Sequence, residues 1–142
     1  MQPYPPYSSM VVDKKPLFYW ARKGLLNTIT IPQKKVDIYS SSLINIKSIN
    51  TQVLQEIIYS RINKVKGDFR QKEILLLWDT FFAENKNEDI LIGRGLIKCS
   101  SGTYIRSIIN TLGKELGHGA IALSIVRMRV GEKFTLNNAI RL

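Results

Sequence analysis

The sequence predicts an α+β fold in a single domain, on three observations. The chain has 142 residues, of which 44% are apolar. A domain of that size hides roughly 70% of its unfolded surface, enough for a true core. Three stretches, about 34–47, 90–99 and 121–130, are rich in β-branched residues or alternate with period two, as strands do. Between them lie stretches whose apolar residues recur at helical spacing.

The elements follow in order. Residues 1–15 are rich in Pro, Tyr and Ser and read as an extended loop. Residues 16–23 read as a short helix, with Pro16 in the first turn and Gly24 as its stop. In the first strand Val36, Ile38 and Ser40 oppose Asp37 and Tyr39. A helix over 51–64 places Leu54, Ile57, Ile58 and Ile62 on one stripe. After a turn at Lys66-Gly67, a capping-box pattern beginning at Asp68 opens another helix, with Ile74, Leu77, Trp78, Phe81 and Phe82 as its stripe. The strand over 90–99 contains Gly93 and Gly95, which suggest a bulge or a close backbone approach. Ser100-Ser101-Gly102-Thr103 is a turn leading into a helix to about Leu116. That helix carries Ile105, Ile108, Ile109, Leu112 and Leu116 on one face. The last strand, 121–130, puts Leu123, Ile125, Arg127 and Arg129 on one side.

Composition narrows the function classes. Lys and Arg number 21 against 11 Asp and Glu, a net charge of +10. Such a surplus favours polyanionic partners, because each neutralised phosphate releases counterions. A solvated basic surface is the plainer alternative. No apolar run reaches the roughly 20 residues that span a bilayer, so no membrane partner is expected. The N-terminal stretch has neither the basic nor the apolar region of a signal peptide. One cysteine, Cys99, and one histidine, His118, exclude an internal disulfide and give no zinc-type ligand set. Cys99 reads as a buried strand-end residue and His118, between glycines, as a turn residue. A cytoplasmic location is expected.

The C-terminal third holds the candidate site. Tyr104 and Arg106 fall at a helix start, and Ile125 and Arg127 share a strand face. An aromatic ring, an aliphatic shelf and guanidinium groups are suitable parts for holding an extruded base and its phosphates. Taken singly, Tyr104 and Ile125 are equally at home in a core, and Arg127 and Arg129 on a solvated face.

The same residues carry a family pattern. Lys98-Cys99-Ser100-Ser101-Gly102-Thr103-Tyr104-Ile105-Arg106-Ser107 resembles the Cys-Ser-x-Gly-Thr-Tyr-Ile-Arg motif of TruB-type pseudouridine synthases. Leu112-Gly113 with Leu116-Gly117 and Gly119-Ala120 also matches. So does Leu123-Ser124-Ile125-Val126-Arg127-Met128-Arg129-Val130-Gly131, followed by Phe134-Thr135-Leu136. At the other end Gln2, Pro5, Tyr7-Ser8, Lys15-Pro16-Leu17-Phe18 and Ala21-Arg22-Lys23-Gly24 are similar to the family's Gln-x-x-Pro-x-Tyr-Ser stretch and its continuation.

The resemblance implies a partial pseudouridine synthase fold, a mixed and mostly antiparallel sheet flanked by helices. It implies isomerisation of uridine to pseudouridine in the T-loop of tRNA, at position 55, without cofactor or metal. The complete enzyme is expected to be a monomer that binds the tRNA T-stem-loop. Tyr104 matches the tyrosine that lies against the flipped uridine, and Arg106 the arginine that pairs with the catalytic carboxylate. Ile125 stands where the family usually has leucine beneath the base, and Arg127 matches a basic position on the same strand. Cys-Ser-Ser-Gly-Thr-Tyr favours the bacterial stand-alone type over the guide-RNA enzymes, whose motif usually reads Cys-Glu-Ala-Gly-Thr-Tyr.

Departures are equally specific. Met10 stands where the family usually has lysine, and Lys14 where it has glycine. Residues 50–88 read as a helical insertion, whose Lys64, Lys66, Arg70 and Lys72 are RNA contacts or a solvated surface. The family's nucleophile lies in a Gly-Thr-Leu-Asp-Pro-Leu-Ala-type segment, and none of the five aspartates, Asp13, Asp37, Asp68, Asp79 and Asp89, has that context. The sequence is therefore expected to be the C-terminal portion of a catalytic domain, without the nucleophilic segment or a PUA module, and inactive by itself. The alternative is a non-catalytic RNA-binding module or RNA chaperone built on the same fold.

Overall fold

The structure, a computed structural model, describes residues 1–67, 69–131, 134 and 135. It mixes helices with four small two-stranded pairs. The chain divides into two compact units, one of residues 1–38 with the chain from Cys99 onward, the other of residues 39–98.

In the first unit, the segment expected to be an extended loop is partly paired. Strand β1 (Gln2–Pro3) runs antiparallel to β4 (Gln33–Lys34), with Gln2 opposite Lys34. Strands β2 (Val11–Val12) and β3 (Lys15–Pro16) form a hairpin. Its two loop residues, Asp13 and Lys14, have φ of 48° and 63°. Positive φ at both central positions is the hairpin turn whose twist matches that of the strands, and it normally selects Asn, Asp or Gly. Lys14 therefore adopts by strain what glycine adopts freely.

Helix α1 (Leu17–Arg22) follows with Pro16 as its N-cap residue. It has no side-chain cap. Instead the Leu17 and Phe18 N–H groups donate to Met10 O (2.7 Å) and Ser8 O (3.2 Å), so the preceding loop satisfies two of the open donors. The Trp20 indole N–H donates to Val12 O at 3.1 Å. Leu17, fully buried, anchors the unit. Gly24, at φ 69°, ends the helix as the sequence predicts.

Helix α4 (Ile105–Glu115) lies after the turn at 100–103. Gly113 is buried on it, and its carbonyl accepts the N–H groups of His118 (3.2 Å) and Gly119 (3.0 Å). A Cβ at Gly113 would collide with the Ala120 backbone, so only glycine lets the chain fold back there. Of the predicted apolar face, Ile105, Ile108 and Ile109 are half-buried, whereas Leu112 and Leu116 are exposed.

The expected strand over 121–130 is mostly absent. Only Arg129–Val130 (β7) is paired, with Phe134–Thr135 (β8). Alternation shows that residues suit a pleated surface, but a strand also needs a hydrogen-bonding neighbour. Residues 121–128 form no strand, so the assignment of Leu123, Ile125, Arg127 and Arg129 to one sheet face does not hold. The single mixed sheet expected is likewise represented by separate pairs.

In the second unit, β5 (Ile38–Asn50) and β6 (Asp89–Cys99) pair along a two-stranded ribbon. A Cβ at Gly95 would lie 3.1 Å from Ser42 O, and one at Gly93 would lie 3.3 Å from Leu43 Cδ1. This is the close approach that the two glycines predict. At the far end the Thr51 N–H donates to Glu88 O at 2.9 Å.

Helix α2 (Thr51–Asn63) is capped by Asn50, whose Oδ1 accepts the Gln52 N–H at 3.0 Å. It packs on α3 (Gln71–Glu84), burying Leu54 and Ile58 against Phe82. Trp78, Phe81, Phe82 and Tyr59 form an aromatic cluster, with Trp78 stacked on Phe82 at 5.4 Å. Leu77, predicted on the α3 stripe, is 68% exposed, while Leu75 is half-buried. Asp68, the predicted start of the capping box, lies outside the described residues. Arg70 occupies the α3 N-cap at φ 64° without a side-chain cap bond. Among the described residues no helix is long and apolar enough to cross a membrane.

Candidate functional site

The site begins with the turn that presents Tyr104. Ser100 N–H donates to Asp37 O at 2.9 Å, and the Asp37 N–H donates back to Ser100 Oγ at 3.0 Å. Thr103 Oγ1 donates to Ser100 O at 2.7 Å and closes the turn on itself. Gly102 sits at φ 77°, and a Cβ there would land on the Lys34 ammonium, which donates to Ser101 O at 2.9 Å. The glycine of the motif is thus favoured for its backbone angle, while the Lys34 side chain, flexible at its end, can swing clear of an added Cβ.

Tyr104 is fixed by a residue far away in sequence. The Gln2 side-chain amide is buried, 8% exposed. Its Oε1 accepts the Tyr104 N–H at 2.9 Å, and its Nε2 donates to Tyr104 O at 3.1 Å. Both backbone groups of Tyr104 are held by one planar side chain, itself positioned by the β1–β4 pair. Tyr4, two residues on, sets its ring edge-on to the Tyr104 ring at 5.8 Å. The Tyr4 N–H donates to Pro32 O at 3.1 Å, which ties that ring to the same strand pair. The result is a half-buried tyrosine aimed by three chain segments.

Tyr104 is the N-cap residue of α4, and Arg106 is in its first turn. Arg106 is exposed and makes no hydrogen bond or ion pair among the described residues. A guanidinium displayed this way offers five N–H donors in a fixed fork, suited to a carboxylate or a phosphate.

Ile125 and Arg127 lie on the irregular segment before β7. Ile125 is 52% exposed and Arg127 is exposed. No hydrogen bond or ring contact joins either to Tyr104 or Arg106 among the described residues. The structure therefore holds Tyr104 firmly, displays Arg106 on the surface beside it, and leaves Ile125 and Arg127 on a separate exposed segment. The Arg129 Nε–H donates to Gly131 O at 2.8 Å, a local turn contact rather than a ligand contact. Cys99 is half-buried at the end of β6, and His118 is exposed in the turn after α4.

Three residues that organise the site, Gln2, Tyr4 and Lys34, were not legible as site residues from periodicity. The one signal for Gln2 is its place in the Gln-x-x-Pro-x-Tyr-Ser stretch. Nothing in the local pattern says that it pairs with a backbone 102 positions away.

The aspartates are accounted for separately. Asp37 contacts the Ser100 turn through its backbone. Asp13 is in the β2–β3 turn. Asp79, in the other unit, accepts the Tyr59 hydroxyl, which lifts the Tyr59 pKa above its ordinary value. Asp89 opens β6 and is exposed, and Asp68 lies outside the described residues.

Comparison with known proteins gives a consistent result. No family model matches the chain, and no solved structure matches it significantly. Curated proteins do. The chain is 31% identical to a tRNA pseudouridine synthase B of Syntrophus aciditrophicus over 138 residues, 97% of this chain and 30% of the relative. It is 30% identical to that of Lactobacillus gasseri over 138 residues, 97% of this chain and 34% of the relative. A shorter match, 52% identical over 46 residues, joins it to that of Corynebacterium diphtheriae, covering 32% of this chain and 15% of the relative. The chain spans about a third of the length of the first two relatives. Matched along 97% of its length, at about 30% identity, by several proteins of one description, the chain is a homologue of part of tRNA pseudouridine synthase B.

Proposed function

We propose that these 142 residues supply the base-holding and arginine half of a site that isomerises uridine to pseudouridine in tRNA, at the T-loop position 55. The observation that carries this reading is the turn Ser100–Thr103, with Tyr104 clamped by Gln2 and Arg106 displayed beside it without a partner among the described residues. The proposed roles follow from the chemistry. The Tyr104 ring stacks on or abuts the extruded uracil. Ile125 offers an apolar shelf beneath it, and Arg127 takes a phosphate.

Arg106 pairs with the nucleophilic carboxylate and keeps it ionised and oriented. In the proposed step that carboxylate attacks ribose C1′ and the C1′–N1 bond breaks with its electron pair leaving on the uracil; the uracil turns, its C5 attacks C1′ as the carboxylate bond breaks, and C5 loses its proton to solvent while N1 gains one. None of the five aspartates of this sequence lies in the family's nucleophile motif, so the proposed carboxylate comes from residues outside the 142. Residues 50–88 are proposed as a helical insertion in the family's domain. The complete protein is proposed to act as a cytoplasmic monomer.

A binding titration with a labelled T-stem-loop RNA tests the site. Wild type is expected to bind weakly and Tyr104→Ala at least fivefold more weakly, the loss of one base-stacking contact. Equal affinity of the two proteins would remove Tyr104 from the site. A non-catalytic RNA-binding module predicts the same binding, and the two readings part on turnover once a nucleophile-bearing segment is supplied.

A further inference from the structure

We propose that the tip of the α2–α3 hairpin is a second RNA-binding surface, separate from the Tyr104 site, that takes an unpaired base and its flanking phosphates. The inference rests on the reading of this chain as an RNA-acting protein.

The tip runs from the last turn of α2 to the first turn of α3. Within residues 61–72 it carries Arg61, Lys64, Lys66, Arg70 and Lys72 against a single acidic residue, Asp68. That concentration of positive charge alone would suit a solvated surface. Three structural features favour a built contact. First, the same basic stretch exposes an aromatic ring: Phe69 is 57% exposed and Val65 48%. A large ring held in water within a basic loop is costly unless something covers it.

Second, one side chain ties together Val65, Gly67 and Phe69 on either side of the turn. The Gln71 amide donates to Val65 O (3.1 Å) and Gly67 O (2.6 Å), and its Oε1 accepts the Phe69 N–H at 2.8 Å. Gly67, at φ 93°, makes room for the ring, since a Cβ there would lie 3.1 Å from Phe69 Cε2. Third, the lysines are available. Glu73 takes Arg70 at 2.5 Å, whereas Lys64, Lys66 and Lys72 are exposed and form no ion pair among the described residues. Cations that track a backbone around an aromatic platform are the parts from which proteins build sites for single-stranded nucleic acid.

The test is fluorescence anisotropy of the 142-residue chain with a fluorescein-labelled T-stem-loop RNA across a salt series. The variants are Lys64→Gln/Lys66→Gln/Lys72→Gln, Phe69→Ser and Phe69→Tyr, each checked for an unchanged melting curve. The triple variant is expected to flatten the slope of log affinity against log salt by about 2, from roughly 0.7 to 0.9 per lost phosphate contact. Phe69→Ser is expected to weaken binding at least fivefold with the slope unchanged, and Phe69→Tyr to retain it. Unchanged affinity and slope in all three, with Tyr104→Ala still weakened, would overturn the inference and leave the Tyr104 site standing. Absence of salt-dependent binding by wild type would overturn both. Loss of binding to phosphatidylglycerol vesicles without loss of RNA binding would assign the tip to lipid and also overturn the inference.

Discussion

Gln2 and Tyr104 show how one buried side chain can fix a backbone 102 positions away. Replacing Gln2 with alanine leaves the Tyr104 N–H and C=O without their partners and removes a buried amide. Loss of two such bonds costs about 1–3 kcal/mol, and the freed Tyr104 should bind RNA less well. Urea unfolding and RNA titration of Gln2→Ala check the two effects, and Gln2→Glu, which keeps an acceptor but not the donor, should fall between. Tyr59 gives a pH-dependent contribution. Its hydroxyl donates to Asp79, which raises its pKa in the folded protein. A raised pKa stabilises the folded state fully below the unfolded tyrosine value near 10 and loses that stabilisation as pH rises through the folded value. Tyr59→Phe should therefore lose stability at pH 8, and its difference from wild type should vanish at strongly alkaline pH. Thermal melts at several pH values measure this.

At the scale of elements, the helices were legible and the short strands were not. Leu54, Ile58 and Phe82 are buried where their spacing places them, because a helix closes its own hydrogen bonds and needs only one apolar stripe to dock. The segment 121–128 has the alternation of a strand but depends on a neighbour for its ladder, and local pattern carries no information on that neighbour. The short pairs of the first 34 residues were missed for the converse reason: two-residue strands leave no period to read. The β2–β3 hairpin explains one departure from the family pattern. Lys14 at φ 63° carries strain of about 1–2 kcal/mol that glycine escapes. Allowing for the larger unfolded-state entropy of glycine, Lys14→Gly should raise stability by about 0.5–1 kcal/mol. Gly113→Ala, by contrast, drives a methyl into the Ala120 backbone and should cost about 1–3 kcal/mol, seen as a lower urea midpoint.

At the scale of the whole molecule, motif order pointed to the relatives, while the way Gln2 and Tyr4 hold Tyr104 needed the structure. A net charge of +10 says that a polyanion is favoured but not where it binds. Arg106, beside the clamped Tyr104, belongs to one unit, and the basic hairpin tip belongs to the other. We propose the first of these as half of a catalytic site whose carboxylate lies outside these residues. Tritium release from C5 of uridine in a labelled T-stem-loop RNA tests it most directly. The 142-residue chain should release no tritium alone, should do so when a segment carrying the family's aspartate motif is joined to it, and should lose that turnover with Arg106→Ala. Turnover by the 142 residues alone, abolished by Asp37→Asn, would contradict the account by placing the nucleophile within this chain.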